Sequence, residues 1–236
     1  MYRPNFISPV ILALGILGAG VSLSNAISNF RDFDRYVEVK GLDEEIVKSN
    51  QATWQISFTT SNNDLKQIYN SISTAQNAIT KFLLDQGFKA NEIQKQQITI
   101  TDNLSTSYGQ HNPNQPHYTA NSGIKLVSGN IDLVSEAAQK TGQLVQSEIV
   151  INNSLVRYSY TDLNSIKVDM LNKATENARN AAQAFAKNSR SQLGKIKNAN
   201  QGQFSISAAE GNDSYDAGGS IMKKVRIVTS VQFFIR

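Results

Sequence analysis

Residues Ile7 to Ile27 pass without a charged side chain, and the centre of the run, Pro9 to Val21, is almost wholly aliphatic or glycine. As a helix rising about 1.5 Å per residue, such a run matches the hydrocarbon thickness of a bilayer. The sequence that follows is mixed polar and apolar, as in ordinary globular proteins. The run therefore decides where the rest of the chain works. One reading is a retained single-pass anchor over Ile7–Ile27. The other is an export signal with Arg3 as its basic start, Pro9–Val21 as its apolar core and Ser24-Asn25-Ala26 as a small-residue cleavage site. The flanking charges leave orientation open, because Arg3 precedes the run while Arg31, Arg35 and Lys40 follow it. A buried core helix fits poorly beside Arg31-Asp32-Phe33-Asp34-Arg35. Residues 1–30 are thus expected to be an anchor or signal segment, and residues 31–236 the working body. Gly15-Ile16-Leu17-Gly18-Ala19 has the small-xxx-small spacing that pairs membrane helices, a pattern also common by chance.

About 200 residues are enough for one sizeable domain or two small ones. A hydrophobic share of 40% with 18% charged residues suits a folded chain rather than a disordered one. The net charge of +4 is spread along the sequence, and the nearest thing to a basic cluster is Lys223-Lys224-Val225-Arg226. Without a basic face interleaved with aromatic residues, nucleic acid is not an expected partner. The absence of cysteine excludes disulfides, thiolate catalysis and cysteine-based zinc sites.

Period-two patterning begins at Arg35. Tyr36, Val37 and Val39 lead into Lys40-Gly41, where a turn or bulge is expected with Asp43-Glu44-Glu45 as its solvated neighbour. Trp54, Ile56 and Phe58 alternate with Gln55, Ser57 and Thr59 in a half-buried strand over Gln51–Ser61. Asn62-Asn63-Asp64 caps a long helix whose stripe is Leu65, Ile68, Tyr69, Ile72, Ala75, Ile79, Phe82 and Leu83. Gly87 ends it at the left-handed position. Strand patterns return around Ile98 and Ile100, over Tyr118–Ser128 and over Ile149–Tyr160. Between them lie a polar loop, Thr106–His117, and a shorter helix from Asn130 to about Thr141, ended by Gly142. A second long helix is expected from Asp162 to about Ser191, with Leu163, Ile166, Met170, Ala174, Ala178, Ala181, Ala182 and Phe185 on its buried face. Leu193–Ile196 opens a strand, and Lys223–Arg236 reads as another. Long helices between antiparallel-type strands give an α+β fold, with twisted sheets packed against two long helices and one shorter one. The two long helices, each before strands, hint at two loosely duplicated halves.

Several stretches together resemble a known family. They are Arg35-Tyr-Val-Glu-Val-Lys-Gly41, Gln51-Ala-Thr-Trp54, Leu83-Leu-Asp-Gln-Gly-Phe88, Ala90-Asn-Glu-Ile93, Lys173–Ala182, Leu193-Gly-Lys-Ile196 and Lys224–Phe234. Their order and spacing, covering about Arg35 to Arg236, resemble the SIMPL-domain family of bacterial envelope proteins. The resemblance implies a periplasmic or membrane-anchored α+β protein. Members are mostly of unknown biochemical function; some are linked to oxidative-stress tolerance and some assemble into ring-like homo-oligomers. It implies no catalytic residues. Many relatives have Pro-Asp before the second strand where this chain has Ser49-Asn50. Asn5–Ile11 resembles the anchored branch, in which the segment is kept. The expected address is the bacterial inner membrane with the body in the periplasm, or the soluble periplasm after cleavage near Ala26.

The chemistry-bearing residues form no recognisable constellation. His111 and His117 lie in the polar loop, and two ligands without fixed partners hold metal poorly. Asp43-Glu44-Glu45 reads as an exposed turn. No G-x-S-x-G motif is present, and Ala217-Gly218-Gly219-Ser220 lacks the Lys-Ser/Thr helix of a phosphate loop. Trp54 and Tyr69 read as core. No catalytic, cofactor-binding or metal-binding residue is assigned, and no cofactor. The expected role is non-enzymatic, through homo-oligomer assembly or envelope-partner binding. The alternative is a small-ligand-binding protein or hydrolase with a pocket between sheet and helices.

Overall fold

The computed structural model describes residues 15–22, 35–106, 115–145, 149–210 and 218–236. Its elements in order are α1 (residues 15–22), β1 (Tyr36–Lys48), β2 (Gln51–Asn62), α2 (Leu65–Asp85), a 3-10 turn (Ala90–Glu92), β3 (Ile93–Lys95), β4 (Thr99–Asp102), α3 (Asn103–Thr106) and β5 (Tyr118–Ser128). Then come α4 (Ile131–Gln139), α5 (Gly142–Val145), β6 (Ile151–Ser159), α6 (Leu163–Asn188), β7 (Leu193–Gln201), β8 (Ser205–Ala208) and β9 (Met222–Ile235). The fold is α+β with two sheets whose described pairings are antiparallel. One has the order β3-β5-β2-β6 with β4 also on β5; the other has β1-β9-β7 with β8 also on β9. Among the described residues no helix is long and apolar enough to cross a membrane. The run Ile7–Ile27 extends outside the described residues at both ends, and only its helical part at 15–22 lies within them.

The chain divides into two compact units, each drawing on separated stretches. One comprises Glu45–Ile166 and Ile206–Val225. Its core lies between the β3-β5-β2-β6 sheet and helices α2 and α4, and it holds Trp54, Ile56, Phe58, Ile68, Ile72, Ile79, Leu83, Ile124, Leu126 and Val134. Strand β2 alternates as its sequence requires, so its even residues face the helices. The Trp54 indole N–H would be costly to bury alone; it donates to Ser154 Oγ at 3.0 Å. Helix α2 starts where Asp64 accepts the Lys66 N–H at 2.7 Å and ends at Gly87, whose φ is +99°. Phe88 then folds back into the core, its N–H bonded to Leu83 O. Each large apolar side chain buried here contributes about 1.5–3 kcal/mol, well above the helix's intrinsic propensity.

The other unit comprises Met1–Glu44, Lys167–Ser205 and Arg226–Arg236. Its core joins Val39 of β1 and Val231 and Phe233 of β9 to Ala178 and Ala182 of α6. Met170, Ala174, Ala178, Ala182 and Ala186 form the buried line of α6, four residues apart, so the helix presents a narrow, smooth face.

Five local expectations are corrected. Gly41 is no turn, because β1 runs unbroken through it. A Cβ at Gly41 would collide with the α6 backbone, so the residue answers a packing demand. Tyr69 is 64% exposed and Leu65 is exposed too, because the α2 stripe turns off the sheet near its start. Phe185 is 60% exposed, and Ala186 takes the buried place expected of it. Gly142 opens the short α5 rather than only stopping α4. Finally, Lys223 is buried in β9 and only Lys224 and Arg226 of its basic stretch reach solvent. Strand β8 carries no sequence signal beyond Ile206.

Candidate functional site

Where β2 outruns its helical cover, a groove of about 640 Å³ opens between the end of that strand and the first turns of α2. Phe58, Ala75 and Ile149 form its apolar floor. Thr60 and Ser61 from β2, and Asn70, Ser71 and Thr74 from α2, supply its hydrogen-bonding groups. The strand is held at this point by Val150, which also lines the groove and whose carbonyl accepts the Thr59 N–H at 3.2 Å. Among its described lining residues none is titratable. The groove therefore offers hydroxyls and an amide over an apolar floor, chemistry that binds uncharged groups rather than activating a nucleophile.

The floor next to the groove is fixed by a buried polar contact. The Gln76 amide of α2 donates to Ser122 Oγ of β5 at 3.0 Å and to Gln96 O at 3.3 Å, and Ser122 Oγ donates to the same carbonyl at 3.3 Å. These bonds satisfy groups that would otherwise cost free energy in the core. They pin the helix to the sheet at one register.

The histidine the sequence placed in a loop is held, not free. His117 Nε2 lies 3.1 Å from Asp102 Oδ1, and its ring stacks on Tyr118 at 3.9 Å between centroids. The same Asp102 carboxylate accepts the backbone N–H groups of Leu104 and Ser105. On this turn Ser105 Oγ donates to the Asp102 backbone carbonyl. His111 lies outside the described residues. Among the described residues no three histidine or acidic side chains converge to hold a metal. Of the acidic run, Glu44 faces Arg226 at 3.6 Å, while Asp43 Oδ2 is buried without a hydrogen-bond partner among the described residues. Of Ala217–Ser220, only Gly218–Ser220 are described, and Gly218 O accepts the Tyr158 N–H at 2.7 Å.

A third feature is the rim of the sheet. Strand β6 is its last strand: β2 pairs with one side, and on the other the described backbone partner is Gly218 at Tyr158. Leu155 is 41% exposed on this strand. The terminal strand β7 of the other sheet differs. Its register shifts twice, around Ile196, and it carries Lys195 and Lys197, both devices that discourage strand addition.

The family described as SIMPL, protein of unknown function (DUF541), matches residues 37–233. No curated protein matches the chain. A solved structure described as an uncharacterized conserved protein from Listeria innocua aligns over 82% of this chain and 92% of its own, at 9% identity and a TM-score of 0.22. A likeness at that score carries no argument.

Proposed function

We propose, for a chain that belongs to the SIMPL family of proteins of unknown function, a non-enzymatic role at the bacterial envelope. The protein is held in the inner membrane by Ile7–Ile27, exposes its body to the periplasm and acts by assembling with copies of itself or with envelope partners. The observation that supports this reading best is the contrast between the two sheet rims. Strand β6 shifts register once, near its start at Asn152, and runs regularly from Asn153 to Ser159 with Leu155 exposed beside it, whereas β7 shifts twice and bears Lys195 and Lys197. In the cell this assembly contributes to envelope stress tolerance. Light scattering of the full chain in detergent, across a range of concentrations, tests the assembly. A defined oligomer is expected, and a monomer at every concentration would overturn it. Membrane fractionation with intact mass tests the address: an N-terminus at Met1 in the membrane fraction is expected. An N-terminus at Ile27 in the soluble fraction would replace the anchor by cleavage after Ala26.

The groove beside β2 favours a second reading, a small-ligand-binding protein. Its hydroxyl-rich walls and apolar floor fit an uncharged, partly apolar molecule. Protection of Asn70 and Ser71 amides from hydrogen exchange by an added compound would favour it. A panel of uncharged glycans and amides without any such protection would count against it.

A further inference from the structure

Resting on the anchor reading above, we propose that the sheet end bearing Arg35, Tyr36, Lys195, Lys197 and Arg236 lies on the anionic lipid headgroups of the membrane that holds the chain. Backbone bonds assemble this end. The Ile235 N–H donates to Arg35 O at 3.1 Å, and Gln192 and Arg236 exchange bonds of 2.7 and 2.9 Å. The residue preceding β1 and the residue following β9 therefore sit beside the entry to β7. Lys197 Nζ stands 4.0 Å from the Tyr36 ring centroid and 5.8 Å from that of Phe234. Tyr36 is 43% exposed. An exposed tyrosine with a lysine laid along it suits the headgroup layer, where the ring sits amphipathically and the ammonium reaches phosphate.

Charge and tether length point the same way. Arg190 precedes Gln192 by two residues. With Arg35, Lys195, Lys197 and Arg236 it makes five basic residues against Glu38, which already accepts a bond from Gln232 at 2.9 Å. Tyr36 follows Ile27 by nine residues. Fully extended, that stretch spans at most about 30 Å, so this end is kept close to the bilayer. Each basic side chain held near an anionic leaflet favours the docked state by about fivefold.

The chain has no cysteine, so Asn198→Cys beside Lys197 gives a single labelling site for an environment-sensitive dye, with Gln139→Cys on α4 of the other unit as a control. The full chain is reconstituted in phosphatidylcholine vesicles with and without phosphatidylglycerol. The label at 198 should shift to the blue only with phosphatidylglycerol, and raised salt should reverse the shift. Lys195→Glu with Lys197→Glu should lower the docked-to-free ratio about 25-fold or more, with carbonate-resistant sedimentation unchanged. Identical spectra in the two vesicle types overturn the proposal, as does a shift indifferent to salt and to both lysines. If the double variant misfolds by circular dichroism, Lys197→Gln and the native salt series give the same test. Failure of the anchor reading appears separately, as protein released by carbonate. The released protein should still sediment with phosphatidylglycerol vesicles, and its failure to do so refutes the docking. Displacement of the label by free phosphate as readily as by salt would assign the site to soluble anions and also refute it.

Discussion

A Cβ on Gly41 would stand 1.8 Å from the carbonyl oxygen of Ala174, so helix α6 lies directly on the backbone of strand β1. Ala178 N is 2.7 Å from the same point. The contact explains two features at once. The helix face is built of alanine because nothing larger fits between it and the strand, and the strand carries glycine because even a methyl group has no room. Backbone on both sides of the contact means that no side chain can move aside.

Gly41→Ala should therefore destabilise this unit by about 3 kcal/mol or more, at the upper end of overpacking costs. Chemical denaturation gives the value. A loss under about 1 kcal/mol, within the range of tolerated core swaps, would mean that α6 slides to make room.

The Gln76–Ser122 contact makes a second prediction. Gln76→Leu leaves Ser122 Oγ with only its 3.3 Å bond to Gln96 O and removes both bonds of the amide. The cost should be about 1–3 kcal/mol despite the gain in apolarity. Combined with Ser122→Ala, the two losses should fall short of additivity by about 0.5 kcal/mol or more in a double-mutant cycle. Full additivity would show that the two groups do not act together.

How much of this was legible in the residues follows from what each position answers to. Helix α2, its Asp64 cap and its Gly87 stop were readable because local chemistry decides them: a side-chain acceptor at one end and a positive φ at the other. The β2 alternation was readable because one face is buried from Ala52 to Phe58. The turn expected at Gly41 is overturned because the demand on that residue comes from Ala174, more than 130 residues later in the chain. Tyr69 and Phe185 have the right spacing for a buried stripe, and spacing does not say where the opposing sheet ends. Strand β7 exposes nearly all of its residues, so it has almost no alternation to detect beyond its opening Leu193–Ile196. The groove left no trace because Ser, Thr and Asn occur throughout this chain, and only the fold brings Thr60 opposite Ser71 and Thr74.

Glu92 gives a pH-dependent prediction. The Ser128 hydroxyl, then the Lys89 backbone N–H at 2.8 Å, stabilise its carboxylate and hold it below the ordinary value of 4.5. A folded value below the unfolded one stabilises the native state above the unfolded value, and that contribution is lost as pH falls through the folded value. Glu92→Gln should thus show a shallower loss of stability on acidification below 4.5 than the native chain, with little change in slope at neutral pH. Urea midpoints measured along an acid series decide it. Parallel curves would remove Glu92 from the acid response.

Assembly through the rim of β6 can be probed at two positions, Leu155, which is exposed, and Val156, which is half-buried against the core. Leu155 projects from the sheet face away from Trp54 and Ser154, and its backbone pairs inward with Gln55. Leu155→Lys should leave the fold intact, since the position is exposed, while placing a charge where a second strand would lie. Val156 faces its backbone outward, as Tyr158 does in donating to Gly218 O, so Val156→Pro removes a rim donor without breaking the β2 ladder. Each change should raise the dissociation constant of the oligomer about tenfold or more, which corresponds to about 1.4 kcal/mol. Lys197→Leu, which makes β7 less charged, serves as the opposing control and should leave the oligomer unchanged. If the β6 variants assemble like the native chain while a β7 variant alters the size, the pairing edge is β7 and its bulges are no barrier.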